Sequence, residues 1–384
     1  MNIPFSRPAI GEEEIAEVVD CLRSGWITTG PRTAQFEKDF AALAGVPHAL
    51  AVSSATAGLH LAMMGLELQP GDEVITTPMT WPATVNTIVL CGARPVLVDI
   101  DPDTLNLDAG LLAAKLTRHT RAIVPVHFAG QPCDMDAIGA IAAARGLRVI
   151  EDAAHAAGAA YKGRPIGSIG DASIFSFHPI KNLTTGEGGM ITTADDALAG
   201  RMRLLRFHGV ERDAWKAYGG AQLPLYDVSA PGLKYNLTDI QSAIGIHQLR
   251  KLAAFNAERT RLAARYDAAF AALPALRPLG RVPYPHMHAH HLYVVRLDLD
   301  RVTVDRQAFM AAVISAGVGL GLHFTAVHEL TYYRQLLGDR RDDLPVATDV
   351  SRRLFSLPLY PGLSDADQDR VVEVLADTAF AHRT

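Results

Sequence analysis

The chain has 384 residues, 49% apolar and 20% charged, the balance of a globular protein of about two domains, large enough to bury its core without staples. Its net charge of −5 gives no general attraction to nucleic acid. No run of about 18 apolar residues occurs, which excludes a membrane-spanning helix, and residues 1–8 carry no stretch of signal-peptide length. The three cysteines, Cys21, Cys91 and Cys133, are odd in number and form no Cys-x-x-Cys pair, which argues against a disulfide framework and a zinc site. A reducing, cytoplasmic setting is the expectation.

From about residue 45, short β-branched runs alternate with alanine-rich helical stretches. The predicted strands are Ala49–Ser53, Glu73–Thr77, Pro95–Ile100, Ala122–His127, Arg148–Asp152, Ala172–Phe177 and Gly189–Thr193. Helices are predicted over Gly58–Leu66, Ala109–Leu116 and Asp136–Arg145. This alternation indicates an α/β fold with a mainly parallel sheet covered on both faces, with ligands at the carboxyl ends of the strands. Asp213–Gly232 and Arg277–His288 read as loops. Asp239–Ala269 reads as one long helix, followed by a smaller α+β unit with strands at Leu292–Leu297 and Val318–Leu322 and a terminal helix over Ala366–Ala379. The expected division is 1–245 for the N-terminal arm and large domain, and 246–384 for the small one.

Four strand ends carry chemistry. Ser176–Gly189 places Lys181 between a buried strand and a glycine-rich turn, where an amine is desolvated and becomes nucleophilic near neutral pH. Val149–His155 ends a strand in Asp152, either a helix N-cap or the carboxylate that keeps a pyridinium nitrogen protonated. Ser53–Gly58 joins a strand to a helix start, where Ala55 and Thr56 offer backbone N–H groups to a phosphate; small residues also stand there for packing alone. Trp81 is either an aromatic platform for a flat heterocycle or a core or interface residue. Ser176 is a further phosphate donor or an ordinary strand-end serine. Together the set describes a pyridoxal 5'-phosphate (PLP) site.

On these residues the chain resembles the sugar aminotransferases of the DegT/DnrJ/EryC1/StrS family. The likeness is carried by Ser24–Pro31, Ser53–His60, Glu151–His155, Phe175–Asn182 with Gly186–Gly189, and Tyr235–Asp239. Within the family it is most similar to the UDP-4-amino-4-deoxy-L-arabinose–oxoglutarate aminotransferases of lipid A modification, through Pro4–Pro8, Ser53–Gly58, Pro231–Asn236 and Gly321–Phe324. The resemblance implies an aspartate-aminotransferase-like (type I) large domain with a seven-stranded sheet. It implies that Lys181 binds PLP covalently and shuttles protons, that Asp152 pairs with the pyridinium nitrogen, and that His155 lies near the phenolic oxygen. Ala55, Thr56 and Ser176 would hold the phosphate and Trp81 would cover the ring. Asn236 would reach the phosphate in the neighbouring subunit of a homodimer, and Thr28 and Thr29 would lie in the substrate channel. Where many members have Gly-x-Asn-x-Arg, this chain has Gly232-Leu233-Lys234-Tyr235-Asn236.

The expected reaction is amino transfer from glutamate to a 4-keto nucleotide sugar. Two rivals are a pyridoxamine-dependent sugar dehydratase, whose relatives carry His in place of the lysine, and a non-catalytic cofactor-binding regulator. His323, Phe324, His328, Tyr332 and Tyr333 line the sugar or nucleotide pocket or simply pack together; the sequence supports both. His286, His288, His290 and His291 crowd one segment, but their spacing matches no common zinc pattern, and no metal is expected.

Overall fold

The structure, a computed structural model, describes residues 2–210 and 227–384. Two helices, α1 (Glu12–Ser24) and α2 (Pro31–Ala44), precede the sheet. The sheet strands are β1 (His48–Val52), β2 (Glu73–Thr76), β3 (Arg94–Leu97), β4 (Thr120–Val124), β5 (Arg148–Asp152), β8 (Ala172–Ser176) and β9 (Gly189–Thr193). All seven expected strands are present, shifted by a few residues at their ends. The intervening helices are α3 (Ala55–Gly65), α4 (Pro82–Leu90), α5 (Leu112–Lys115), α6 (Met135–Arg145) and, after β9, α7 (Asp196–Leu205). The helix expected over Ala109–Leu116 is divided into a 3-10 turn, Ala109–Leu111, and the short α5.

The seven strands lie in the order β1-β9-β8-β5-β4-β2-β3. Only β9 runs against the rest, so the sheet is mainly parallel. That reversal brings the first residue of β9 to the edge where the parallel strands end: Gly189 pairs with Val52 on one side and Ser176 on the other. The central strands are buried on both faces, as expected where helices cover both sides. One face carries Leu50, Val52, Ile150, Ile174 and Ile191; behind the other, Phe36 and Phe40 of α2 pack on Phe175 and Phe177 with centroids 4.9–5.6 Å apart. Each such ring contributes about 1.5–3 kcal/mol by burial and holds the start of the Lys181 loop in place.

The helix Asp239–Phe270 runs unbroken, capped at Thr238 by a box with Gln241. Its Ile246 and Leu252 belong to the sheet's core, whereas Leu262, Ala263, Tyr266 and Phe270 belong to a second core. That core is built on a three-stranded antiparallel sheet of β10 (Leu276–Pro278), β12 (Tyr293–Leu297) and β13 (Leu354–Leu357), covered by the C-terminal helix Asp365–Ala381. A small sheet of β6 (Ala160–Tyr161), β7 (Arg164–Pro165) and β11 (His286–Met287) lies beside the large one. Among the described residues, no helix is long and apolar enough to cross a membrane.

Two expectations need correction. Val318–Leu322 is not a strand: it forms single bridges, Ile3 with Val318 and Gly321 with Ser356. It is wedged between the N-terminal arm and β13, and a Cβ at Gly319 would stand 2.6 Å from Phe5 N. Besides β10, the strand that β12 pairs with is β13, whose short run ending at Pro358 gave no alternation to read. The expected loop Arg277–His288 contains most of β10 and all of β11. Of the expected loop Asp213–Gly232, residues 213–226 lie outside the described residues.

Candidate active site

Beyond the carboxyl edge of the sheet lies a cavity of about 380 Å³, lined by Ala55, Thr56, Trp81, Asp152, His155, Ser176, Lys181, His323 and Phe324 among others. Each large-domain wall residue arrives by the same device, a strand that ends and a loop that turns away. Two larger hollows on the surface, one beside Arg121, Arg148 and Arg201 and one beside Arg301 and Arg383, are lined by no lysine.

At the end of β1, Ser54 caps α3, its Oγ accepting from Ala57 N at 3.0 Å. The N–H groups of Ala55 and Thr56, in the first turn, have no helical acceptor and face the positive end of the helix dipole. Gly189 packs so tightly here that a Cβ would lie 2.8 Å from Ala55 N and 2.7 Å from Phe175 O. The first residue of β9 must therefore be glycine.

Asp152 ends β5 and is 5% exposed. Turns, not a helix, follow it, which removes the N-cap alternative. Its Oδ1 accepts from Ala154 N (3.1 Å) and its Oδ2 from Thr84 Oγ1 (2.7 Å). Thr84 spends its hydroxyl proton on Asp152, so Thr80, 2.7 Å away, donates to Thr84. Burial pushes the Asp152 carboxyl upward, against the pull of Thr84, Ala154 and the Lys181 charge. A cationic ring nitrogen in the cavity would restore its ionised form.

Lys181 sits in a loop closed at both ends. Phe177 N donates to Gly188 O (2.9 Å), and Thr185 N and Thr184 Oγ1 donate back to Phe177 O (3.0 and 2.9 Å). Gly186 takes φ +81°, where other residues are strained. Asn182 fixes the loop from outside: its Nδ2 donates to Asn256 Oδ1 on the long helix and to Ala289 O, both at 2.7 Å. Burial lowers the Lys181 amine to about 7, opposed by the Asp152 charge. An amine so placed has a substantial neutral fraction near pH 7 and is then competent as nucleophile and base.

The remaining wall is aromatic. Trp81, at the start of α4, is 63% exposed, with its ring 6.1 Å from Phe324, so it is no core residue. Phe324 stacks on His155 at 5.8 Å. His323 is stacked by Phe5 of the N-terminal arm and bonded through Nδ1 to Ser356 Oγ at 3.0 Å. His155, 6% exposed, leaves Nδ1 buried with no hydrogen-bond partner among the described residues. Such an orphan costs about 1–3 kcal/mol unless a ligand satisfies it. The anion-binding helix start, the buried carboxylate, the neutral amine and the orphaned imidazole fit the phosphate, ring nitrogen, carbonyl carbon and phenolic oxygen of PLP.

Thr28, Thr29 and Asn236 do not line this cavity. They form a separate group: Asn236 Nδ2 donates to Thr29 Oγ1, Thr29 Oγ1 to Leu237 O, both at 2.5 Å, and Thr28 O accepts from Asp239 N at 3.1 Å. Trp26 and Ile27 beside them are exposed. His328 is bonded to Thr348 (2.9 Å) and Tyr333 to Asn86, and neither is on the cavity wall. Among the described residues no group of three or more His, Cys, Asp or Glu is arranged to hold a metal. Sequence reasoning missed Thr80, Thr84, His178, Asn182 and Glu187; of these, only Thr80 and Thr84 carried a signal, hydroxyls four apart entering a helix.

Residues 8–376 match the model of the DegT/DnrJ/EryC1/StrS aminotransferase family. Spr1654 of Streptococcus pneumoniae, described as a sugar aminotransferase and solved in PLP and PMP forms, is 35% identical, with 99% of this chain and 98–99% of that one covered at a TM-score of 0.91. Helicobacter pylori PseC, an aminotransferase involved in the biosynthesis of pseudaminic acid, is 28% identical over 99% of this chain and 100% of its own, with a TM-score of 0.92. DesV of S. venezuelae is 34% identical over 96% and 94%, with a TM-score of 0.86. The chain belongs to the DegT/DnrJ/EryC1/StrS aminotransferase family and is a PLP-dependent sugar aminotransferase.

Proposed function

We propose that this enzyme transfers an amino group from glutamate to a 4-keto nucleotide sugar, with UDP-4-keto-L-arabinose as acceptor and UDP-4-amino-4-deoxy-L-arabinose as product, in lipid A or related lipopolysaccharide synthesis. The observation that carries the chemistry is a buried amine, lowered to about 7, in one cavity with a buried carboxylate and a free helix start. The bound cofactor supplies an electron sink for the carbon that loses its proton. Ala55, Thr56 and Ser176 hold its phosphate, Asp152 keeps its ring nitrogen charged, His155 meets its phenolic oxygen, and Trp81 excludes water from one face. Lys181 anchors it at rest. When free, Lys181 Nζ would be the base for the proton on Cα of the donor and, in the second half of the cycle, the acid toward C4 of the sugar.

The choice of sugar is supported by the Pro4–Pro8 and Gly321–Phe324 blocks, because Phe5 stacks on His323, which meets Phe324 edge-on at the cavity wall. Residues 1–245 act as the cofactor-binding unit and 246–384 as the small domain. Asn236, Thr28 and Thr29 serve the site of a second subunit, so the working form is a homodimer; the exposed Trp26 and Ile27 beside them support this reading. The test is a panel of 4-keto UDP-, GDP- and dTDP-sugars assayed with glutamate. The expected result is the highest kcat/KM with the UDP-pentose; equal rates on all three overturn the arabinose assignment and leave the aminotransferase intact.

A further inference from the structure

Lys181 has one hydrogen-bond partner for its amine among the described residues, and it is not a carboxylate. His291 Nε2 lies 3.4 Å from Lys181 Nζ. His291 is 2% exposed and is not on the cavity wall, where His155 stands in front of it with ring centroids 4.4 Å apart. It therefore reaches the lysine from behind, out of contact with the space a substrate fills.

Its position is fixed by the backbone. His291 N donates to Ala129 O at 2.9 Å. The buried guanidinium of Arg259 donates through Nη1 to His291 O (3.1 Å) and Leu359 O (2.7 Å). Gly130, at φ +96°, lets this segment approach: a Cβ there would stand 2.7 Å from His155 O and 3.2 Å from His290 N. Two separate elements and one obligatory glycine thus converge on the placement of a single imidazole.

We infer that His291 is the positioning residue that receives the Lys181 amine whenever that amine is not bonded to the cofactor. A buried amine without a partner would cost about 1–3 kcal/mol, and Asp152 makes no hydrogen bond to it. A carboxylate in place of His291 would hold the amine as ammonium and spoil it as a base. A neutral imidazole holds it without charging it, and burial keeps this ring well below the ordinary histidine value. Because the free lysine occurs in both halves of the cycle, His291 serves both.

The inference takes Lys181 as the reacting lysine, and its test is separable from that reading. In cofactor-free protein, the ring-nitrogen NMR signals of 15N-labelled histidine are recorded and His291 is identified by its loss in His291→Gln. Lys181→Met is expected to shift the His291 Nε2 signal; an unmoved signal overturns the inference even if Lys181→Ala is inactive. In the loaded enzyme, His291→Phe is expected to slow both half-reactions, followed by cofactor absorbance, by the same factor of about ten, or about 1.4 kcal/mol. KM for glutamate and for the sugar should stay nearly unchanged, and His291→Gln should recover most of the rate. Slowing of one half-reaction alone, or no recovery by glutamine in a variant that melts like wild type, overturns it.

Discussion

Glu151 and Asp152 are consecutive acids at the end of one strand, both buried, and their surroundings make them opposites. Glu151 is sealed inside the protein: His127 Nε2 meets it at 2.8 Å, Ser173 Oγ donates at 2.8 Å and Gly170 N at 2.7 Å. The ring's proton sits on Nε2, because Cys133 N donates to its Nδ1 at 3.0 Å. Burial alone would raise the Glu151 carboxyl; these partners reverse that and hold it below the ordinary value. Asp152, on the opposite face, has a hydroxyl and one N–H, opens on the cavity, and is pushed upward by burial. A completed network stabilises a fold, and an incomplete one beside a cavity waits for a ligand. The period-two alternation of a strand is enough to separate the two roles.

That contrast is broken most severely at the amine. Lys181→Ala is expected to cut turnover by at least about 10⁴-fold, since a covalent anchor and a general base are lost together; full activity with an intact cofactor absorbance band would remove Lys181 from the mechanism. On the structural side, Glu151→Ala leaves His127 Nε2, Ser173 Oγ and Gly170 N without their acceptor in the core and should cost about 1–3 kcal/mol of stability for each donor left unpaired. Denaturant unfolding measures this, and the folded fraction should keep its specific activity.

The linkage of Lys181 provides a pH test on cofactor-free protein. Its amine titrates near 7 when folded, far below its ordinary value of 10.5. Between these values the unfolded chain holds a proton that the folded chain lacks, so stability rises with pH. Lys181→Met should accordingly be more stable than wild type at pH 7, by up to about 4 kcal/mol, and that advantage should shrink toward pH 10. A pH-independent difference would show that the lysine is solvated.

Asp152→Asn should lower kcat about 10²–10³-fold, the scale of one preorganised electrostatic contact, while leaving cofactor-free stability intact, the reverse of Glu151→Ala. The smallest effect is expected at Thr84→Val, which removes one of the two partners of Asp152. A loss of about 1–2 kcal/mol in transition-state stabilisation, read as kcat/KM, would place Thr84 as the residue that orients the carboxylate.

Much of this was legible in the chain because the determinants are local. Seven β-branched runs separated by helical stretches dictate a mainly parallel sheet, and the residue at the end of each strand is delivered to one edge. The chain order alone therefore places Lys181, Asp152, Ala55, Thr56 and Ser176 at one site. The short antiparallel strands of the smaller unit were less legible, since their pairing is non-local and Val318–Leu322 sits where an arm and a strand close over it.

What the sequence by itself determined is the mainly parallel sheet and the delivery of Lys181, Asp152, Ala55, Thr56 and Ser176 to one edge of it, because strand direction and helix starts follow from nearest-neighbour pattern, while its motifs carried the resemblance to the family. What only the tertiary structure decided is how each group is tuned. The Thr80–Thr84 relay to Asp152, the Asn182 tether to Asn256 and Ala289, and the approach of His291 to Lys181 join residues far apart in the chain. Burial and hydrogen-bond partners set the charge state of a side chain, and both come into being only when distant segments pack.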